Sequence, residues 1–280
     1  FNALTKTASA QAANFPFCTI DPNVGEVNVP DFRLDKLAGI AQSANIIPTR
    51  MTFVDIAGLV KGASQGEGLG NQFLANIRET DAIAHVVRCF EDNDVVHVND
   101  QVDPIADVET IDTELMLADM ESVEKRLQNI VRKVRGGDKE AVQQERLLRD
   151  AMVALEGGKP ARTVVVDAED EKQWKMLQLL TSKPILYVCN VSEGDASSGS
   201  TYSNAVADMA ASQGNSHVVI SAQIEEEISQ LEEEEAEMFL SEMGLEEAGL
   251  DRLILAGYEL LSLQTYFTVG PKEARAWTIK

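Results

Sequence analysis

Basic residues are scarce. Only 24 lysines and arginines stand against 46 aspartates and glutamates among 280 residues, for a formal net charge of −22. A field of that sign repels nucleic acid over most of a surface and favours solubility, so a body that grips DNA is excluded. Cysteine is scarcer still. Cys18, Cys89 and Cys189 lie far apart and make neither a C-x-x-C nor a metal-ligand spacing, which excludes a disulfide framework and a zinc ribbon and fits reduced, buried thiols in a cytoplasmic protein. No stretch approaches the roughly 18 uninterrupted apolar residues of a membrane span, and no signal peptide precedes the first strand, so no membrane partner is expected.

What is present is ordinary for a globular chain: 44% hydrophobic and 25% charged residues. The length exceeds one average domain, which predicts one large domain with an appendage. The acidity concentrates between Glu225 and Glu247, including Glu225-Glu226-Glu227 and Glu232 to Glu235, and reads as the solvated faces of surface helices. Both ends read as cut: Phe1-Asn2-Ala3-Leu4 opens an amphipathic helix without a cap or an initiator Met, and Ile279-Lys280 stops inside strand-like sequence.

Strand-like runs, at residues 24–29, 51–56, 83–90, 185–191 and 217–222, alternate with helical patterns at 71–81, 202–213 and 231–243. That alternation predicts a doubly wound α/β domain with a largely parallel sheet. One segment departs from it. From Met116 the apolar residues Met120, Val123, Leu127, Ile130 and Val134 follow at spacings of 4, 3, 4, 3 and 4, the seam of a coiled coil. Gly136-Gly137-Asp138 then marks a turn, and Ala141, Leu148, Ala151 and Leu155 fit a returning helix. At about 1.5 Å per residue the arm would reach roughly 28 Å. It also reverses the charge. Lys125, Arg126, Arg132, Lys133, Arg135, Lys139, Arg146 and Arg149 face only Asp138, Glu140 and Glu145, so an RNA or ribosome contact is expected there beside the plainer reading of solvated coiled-coil flanks. Finally, Gln264 to Thr268 and Ala274 to Ile279 bracket the turn signal Gly270-Pro271.

The chemistry centres on Met51-Thr52-Phe53-Val54-Asp55-Ile56-Ala57-Gly58, a buried strand ending in D-x-x-G and followed by glycines 62, 66, 68 and 70. In a P-loop hydrolase such an aspartate sits near Mg²⁺ and the glycine N–H bonds the γ-phosphate; alone, the string equally describes a structural turn. Three further signals lie in the order such an enzyme needs. Thr19, in the Pro-containing loop before the first strand, stands where a switch threonine coordinates Mg²⁺. Asn190-Val191-Ser192-Glu193 follows a strand where the base is read, and Ser221-Ala222 ends the next strand where backbone touches the base.

The strings Asn14-Phe15-Pro16-Phe17-Cys18-Thr19, Asp55 to Ala63 (D-I-A-G-L-V-K-G-A) and Gln264-Thr265-Tyr266-Phe267-Thr268 resemble those of the YchF family of Obg-related P-loop hydrolases, and the similarity runs over essentially the whole chain. The resemblance implies an α/β P-loop NTPase, an Obg-type G domain over residues 1–262. It implies a coiled-coil hairpin inserted at 107–158 and the start of a β-grasp TGS domain at 263–280. It also implies ATP hydrolysis, ribosome association and a link to stress responses. The family's G-x-x-x-x-G-K-[S/T] loop is expected immediately ahead of Phe1; no such string occurs in the 280 residues, so the chain as it stands is expected to bind nucleotide poorly.

The expected site therefore has Thr19 and Asp55 around Mg²⁺, Gly58 on the γ-phosphate, and Asn190, Val191, Glu193, Ser221 and Ala222 around the base. Guanine-specific relatives carry N-K-x-D; here valine replaces the lysine and glutamate the aspartate, which argues for ATP over GTP. Leu59 stands where Ras-like enzymes place a water-orienting glutamine and cannot do that work. Of three histidines, His85 in an apolar strand is expected in the core and His217 opens a strand. His97, in the polar loop 91–103, matches a histidine with a catalytic role in the family, against the plain reading of a surface residue. The alternatives are an Obg-like GTPase, or a ribosome- or chaperone-binding module in which nucleotide only sets conformation.

Overall fold

A computed structural model describes residues 1–5, 22–56, 69–92 and 102–280. The chain divides into two compact units: Phe1–Asp55 with Ala84–Ile105 and Ile185–Lys280, and Ile56–Ile83 with Ala106–Pro184.

In the first unit β1 (Asn23–Asn28) runs antiparallel to β3 (Arg50–Asp55), from Asn23 opposite Asp55 to Asn28 opposite Arg50. Between them lie α2 (Phe32–Ala41) and β2 (Ile46–Ile47). A second sheet places β5 (Ile185–Asn190) between β4 (Ile83–Arg88) and β6 (Ser216–Ile220). β5 and β6 are parallel, Leu186 opposite Ser216 through Asn190 opposite Ile220. β4 runs the same way, since the N–H groups of Ile83 and Cys89 donate to the carbonyls of Pro184 and Asn190 at 3.0 and 2.8 Å. Residues 185–189 are all buried, as an apolar run in a strand covered on both faces requires. α10 (Gly249–Leu260) lays Leu253 and Leu250 on Leu186, Val188 and Ile220, while Phe53 of β3 joins the same cluster. α7 (Thr201–Ser212) starts at a reciprocal cap in which Ser203 N–H donates to Ser200 Oγ (3.1 Å) and Ser200 N–H to Ser203 Oγ (2.7 Å).

A third sheet forms in the order β2-β8-β7. β7 (Gln264–Val269) and β8 (Ala274–Ile279) are the hairpin that Gly270-Pro271 announces, and Ile46-Ile47 adds a short parallel strand to β8. α2 covers this sheet, with Leu34 and Ala38 against Phe267, Ala274 and Ala276. The strand pairing is thus more divided than the alternation predicts: among the described residues there are three sheets, and β1 with β3 is antiparallel.

The second unit is helical. α3 (Leu69–Glu79) precedes α4 (Pro104–Arg135), and α5 (Lys139–Glu156) returns after a turn in which Gly137 takes φ +77°, a left-handed conformation that favours glycine. Asp138 caps α5 by accepting from Ala141 N–H at 3.1 Å. The seam is as the spacing predicts: Val123 and Ile130 are buried, and Val123, Met116, Met120 and Leu127 pack with Leu147, Leu148, Ala151 and Leu155. Asp119, fully buried on α4, accepts from Leu180 N–H and Thr181 N–H at 2.8 Å and from Thr181 Oγ1 at 2.7 Å. Lys183 donates to the carbonyls of Arg78 and Thr80, closing the end of α3.

Candidate functional site

β5 and β6 end side by side, and the site forms on the loops that leave them. Asn190 is the last residue of β5. Its Oδ1 accepts from the N–H of Ala222 at 2.9 Å, a bond across 32 positions of sequence that draws N-V-S-E against Ser221-Ala222. The next residue, Val191, is buried, and its N–H donates to Ile220 O at 2.9 Å. The chain then tightens into a 3-10 turn, Glu193–Asp195, steadied by Ser192 Oγ donating to Asp195 Oδ2 at 2.7 Å. Glu193 is left half-buried at the rim. On the other side Ser221 opens α8 (Ala222–Ile228); its hydroxyl is buried and has no hydrogen-bond partner among the described residues. A buried polar group without a partner carries a desolvation cost that a ligand atom can relieve.

Two supports of these loops leave little trace in the sequence. Glu225, on α8, is buried, and its carboxylate accepts from Gly249 N–H (2.7 Å) and Leu250 N–H (3.2 Å), the first free donors of α10. Burial raises its pKa, with the two backbone bonds and Arg252 pulling the other way. Gly249 permits the approach, because a Cβ there would lie 2.8 Å from Glu225 Oε1 and 2.9 Å from Ile220 Cγ2. Glu225 belongs to the acidic run read as solvated; the structure corrects that reading at this one position, because a helix terminus needs an acceptor. The other support is Ser200, whose hydroxyl donates to Cys89 O at 2.9 Å. It ties the start of α7 to the end of β4, and Tyr202 Oη donates to Glu91 Oε1 at 2.6 Å beside it.

Asp55 closes β3. Its cross-strand partner Asn23 reaches its Oδ2 with the side-chain amide at 3.4 Å, an orienting contact that only the strand register reveals. Asp55 stands two residues beyond Phe53, which packs in the cluster of Leu186, Val188 and Ile220. The structure therefore bonds Asn190 to Ala222 and Val191 to Ile220, the residue before Ser221, and puts Asp55 on a strand that shares their core. Thr19, Gly58, Leu59 and His97 lie outside the described residues. Cys89, just past the end of β4, and Cys189 on β5 are both buried free thiols, as their isolation in sequence predicts, and the hydrogen bond between them, with burial, pushes the Cys89 thiol up. His85 is half-buried rather than in the core, with its ring centroid 5.8 Å from that of Tyr187, because β4 keeps only one face of its middle covered; His217 is exposed on β6.

Comparison with known proteins places the chain in a family. A family model described as 50S ribosome-binding GTPase matches residues 1–133. The chain is 53% identical to the ribosome-binding ATPase YchF of Bacillus subtilis over 282 residues, covering all of this chain and 77% of the relative. Its counterpart from Haemophilus influenzae is also 53% identical, over 279 residues, with all of this chain and 76% of the relative covered. Among solved structures, that of the Schizosaccharomyces pombe YchF GTPase superposes with a TM-score of 0.83 at 36% identity, covering all of this chain and 76% of the other. The chain belongs to the YchF family. Membership makes the α/β fold that of a P-loop NTPase. The YchF relatives are named ATPase in the two bacteria and GTPase in the yeast, so the base preference has to be argued from the residues of this chain.

Proposed function

We propose that this chain is a ribosome-associated regulatory P-loop hydrolase that prefers ATP to GTP and works with Mg²⁺. The observation that carries the reading is the Asn190 Oδ1 bond to Ala222 N–H, which holds the 190–193 loop against the start of α8. Guanine recognition by N-K-x-D needs a carboxylate placed for two hydrogen bonds and a lysine stem beside the base. Glu193 carries an extra methylene, and Val191 is buried with no stem to offer. Adenine lacks the 2-amine that such a carboxylate would read, so it loses nothing by the change, whereas guanine leaves polar groups unpaired. Ser221 Oγ, buried and unpartnered, supplies a polar contact for the base edge.

Mg²⁺ fits Asp55: a half-buried carboxylate with one amide donor at 3.4 Å keeps lone pairs for a hard cation, which typically takes one or two carboxylates and completes its shell with phosphate oxygens. Thr19 is the second protein ligand in this reading. When bound, the ion neutralises charge developing on the transferred phosphoryl group. Gly58 offers its N–H to the γ-phosphate. Leu59 cannot orient the attacking water, and in this reading His97 does so instead.

The test is Glu193→Asp in a version carrying a G-x-x-x-x-G-K-[S/T] loop ahead of Phe1. A restored bidentate pair is worth about 1–3 kcal/mol, so the ratio of GTP to ATP dissociation constants moves roughly tenfold or more toward GTP. Val191→Lys is the weaker probe, because it drives an ammonium into a buried position. Unchanged constants for both nucleotides would show that these residues do not read the base and would favour the Obg-like GTPase, the reading that the yeast relative's name supports. Ribosome association, which comes from the bacterial relatives' names, is tested by co-sedimentation with and without ATP.

A further inference from the structure

The sequence places eight basic residues on the hairpin, and the structure separates them into two groups. Four are engaged within the second unit. Lys125 Nζ meets Glu121 Oε1 at 2.5 Å, Arg149 meets Glu145 Oε1 at 2.6 Å, Arg126 donates to Leu177 O at 2.6 Å, and Arg146 pairs with the buried Asp170. The other four, Arg132, Lys133, Arg135 and Lys139, surround the turn between α4 and α5. All four are exposed, and none enters an ion pair or side-chain hydrogen bond among the described residues. The acid inside the turn, Asp138, is occupied as the cap of α5.

Helix electrostatics accounts for part of this. Cations in the last turn of α4 complement its dipole, which would retain Arg132, Lys133 and Arg135 without any partner. Lys139 has no such excuse: it is the first residue of α5, where a cation opposes the dipole. Four unneutralised cations crowd the end of a two-helix hairpin in a chain of net charge −22, one of them against local helix energetics. That pattern fits a polyanion and nothing within the unit itself.

We propose that the turn end of the hairpin, through Arg132, Lys133, Arg135 and Lys139, contacts the phosphate backbone of ribosomal RNA, and that the four basic residues nearer the hairpin's base take no part. The inference rests on the ribosome-associated reading above. A blunt end carrying long cationic side chains and no aromatic residue between positions 131 and 140 reads backbone and shape rather than base sequence. Its binding is therefore independent of sequence and steep in salt. For four phosphates the slope of log K against log salt is about −3.6 at the duplex value, so affinity falls roughly 100-fold between 50 and 200 mM.

The experiment is a salt series of co-sedimentation with ribosomes, using the 280-residue chain, a quadruple variant (R132Q, K133Q, R135Q, K139Q) and a control variant (K125Q, R149Q). A parallel series measures binding to protein-free ribosomal RNA. The tip variant should lose roughly tenfold or more at low salt and about 3.6 units of slope on both targets, with the control close to wild type. Circular dichroism of the tip variant, expected to be unchanged, separates lost contact from a lost helix; K139Q alone relieves the dipole conflict, cannot weaken the helix on that account, and should still lower the slope by about 1. Equal losses in tip and control variants would reduce the effect to net charge and overturn the proposal, as would a tip variant that binds like wild type. A loss confined to intact ribosomes, with no wild-type binding to protein-free RNA, would assign the tip to an acidic protein surface and likewise overturn it. If the wild-type chain fails to sediment with ribosomes, the ribosome-associated reading falls, while the RNA series still decides whether the tip grips phosphate.

Discussion

Glu225 illustrates how much one carboxylate does when it meets a helix end. It holds the first two N–H groups of α10 while sitting on the helix that begins at Ser221-Ala222, so the base-side loop and the helix covering β5 and β6 are braced by one side chain. Its pKa is raised, chiefly by burial. A carboxyl whose folded pKa exceeds its unfolded value binds protons more tightly when folded. Its ionisation therefore costs stability above the folded pKa, and that cost is relieved as pH falls through the raised value toward the ordinary glutamic acid pKa of about 4.3. Thermal midpoints measured downward from neutral pH should rise for wild type relative to Glu225→Gln across that window and run parallel below it; parallel curves throughout would mean that Glu225 is not raised. His97 is tested by turnover. In the loop-bearing version, His97→Ala should slow hydrolysis by about 10²-fold or more with ATP affinity nearly unchanged, the signature of an interaction made chiefly in the transition state. Equal turnover at saturating ATP would return His97 to the surface residues.

The elements differ in how openly their sequences declare them. α4 and α5 are legible because a coiled-coil seam repeats every three or four residues and Gly136-Gly137-Asp138 supplies both the left-handed turn and the next cap. β5 is legible because a strand buried on both faces is a continuous apolar run. α2, α8 and α10 are harder to read. Glu225 and Glu226 of α8 look like surface charge, and the first two N–H groups of α10 are met by Glu225, 24 positions upstream. β2 has only two residues and exists because β8 offers it an edge. The internal brace of the helical unit is equally nonlocal. Asp119 meets the 3-10 turn Leu180–Ser182 across 61 positions and satisfies two buried N–H groups and a hydroxyl. Asp119→Ala orphans all three, at about 1–3 kcal/mol for each buried group left unpaired. A loss of about 3 kcal/mol or more in urea unfolding is expected, with Asp119→Asn intermediate because it keeps one acceptor oxygen. A change within about 0.5 kcal/mol would mean that the turn holds without it.

For the whole molecule, the order of motifs along the chain was enough to place D-x-x-G, N-V-S-E and S-A at strand ends, because in an α/β fold a strand followed by a polar string and a helix can put that string on only one edge of the sheet. The same order, with the family strings around it, marks the chain as a member of the YchF family, and the relatives at 53% identity agree. Net charge and its local reversal were likewise visible in composition. What required folded geometry were the pairings across sequence distance. Asn190 reaching Ala222, Asn23 facing Asp55, Ser200 holding Cys89, and the division of eight basic residues into four engaged and four without a partner among the described residues all depend on which atoms meet after the chain has closed. Periodicity and local propensity report which face of an element is apolar; they carry no information about which polar group on another element stands within 3 Å of it, and that distance determines whether a charge is a brace or a contact left open for a partner.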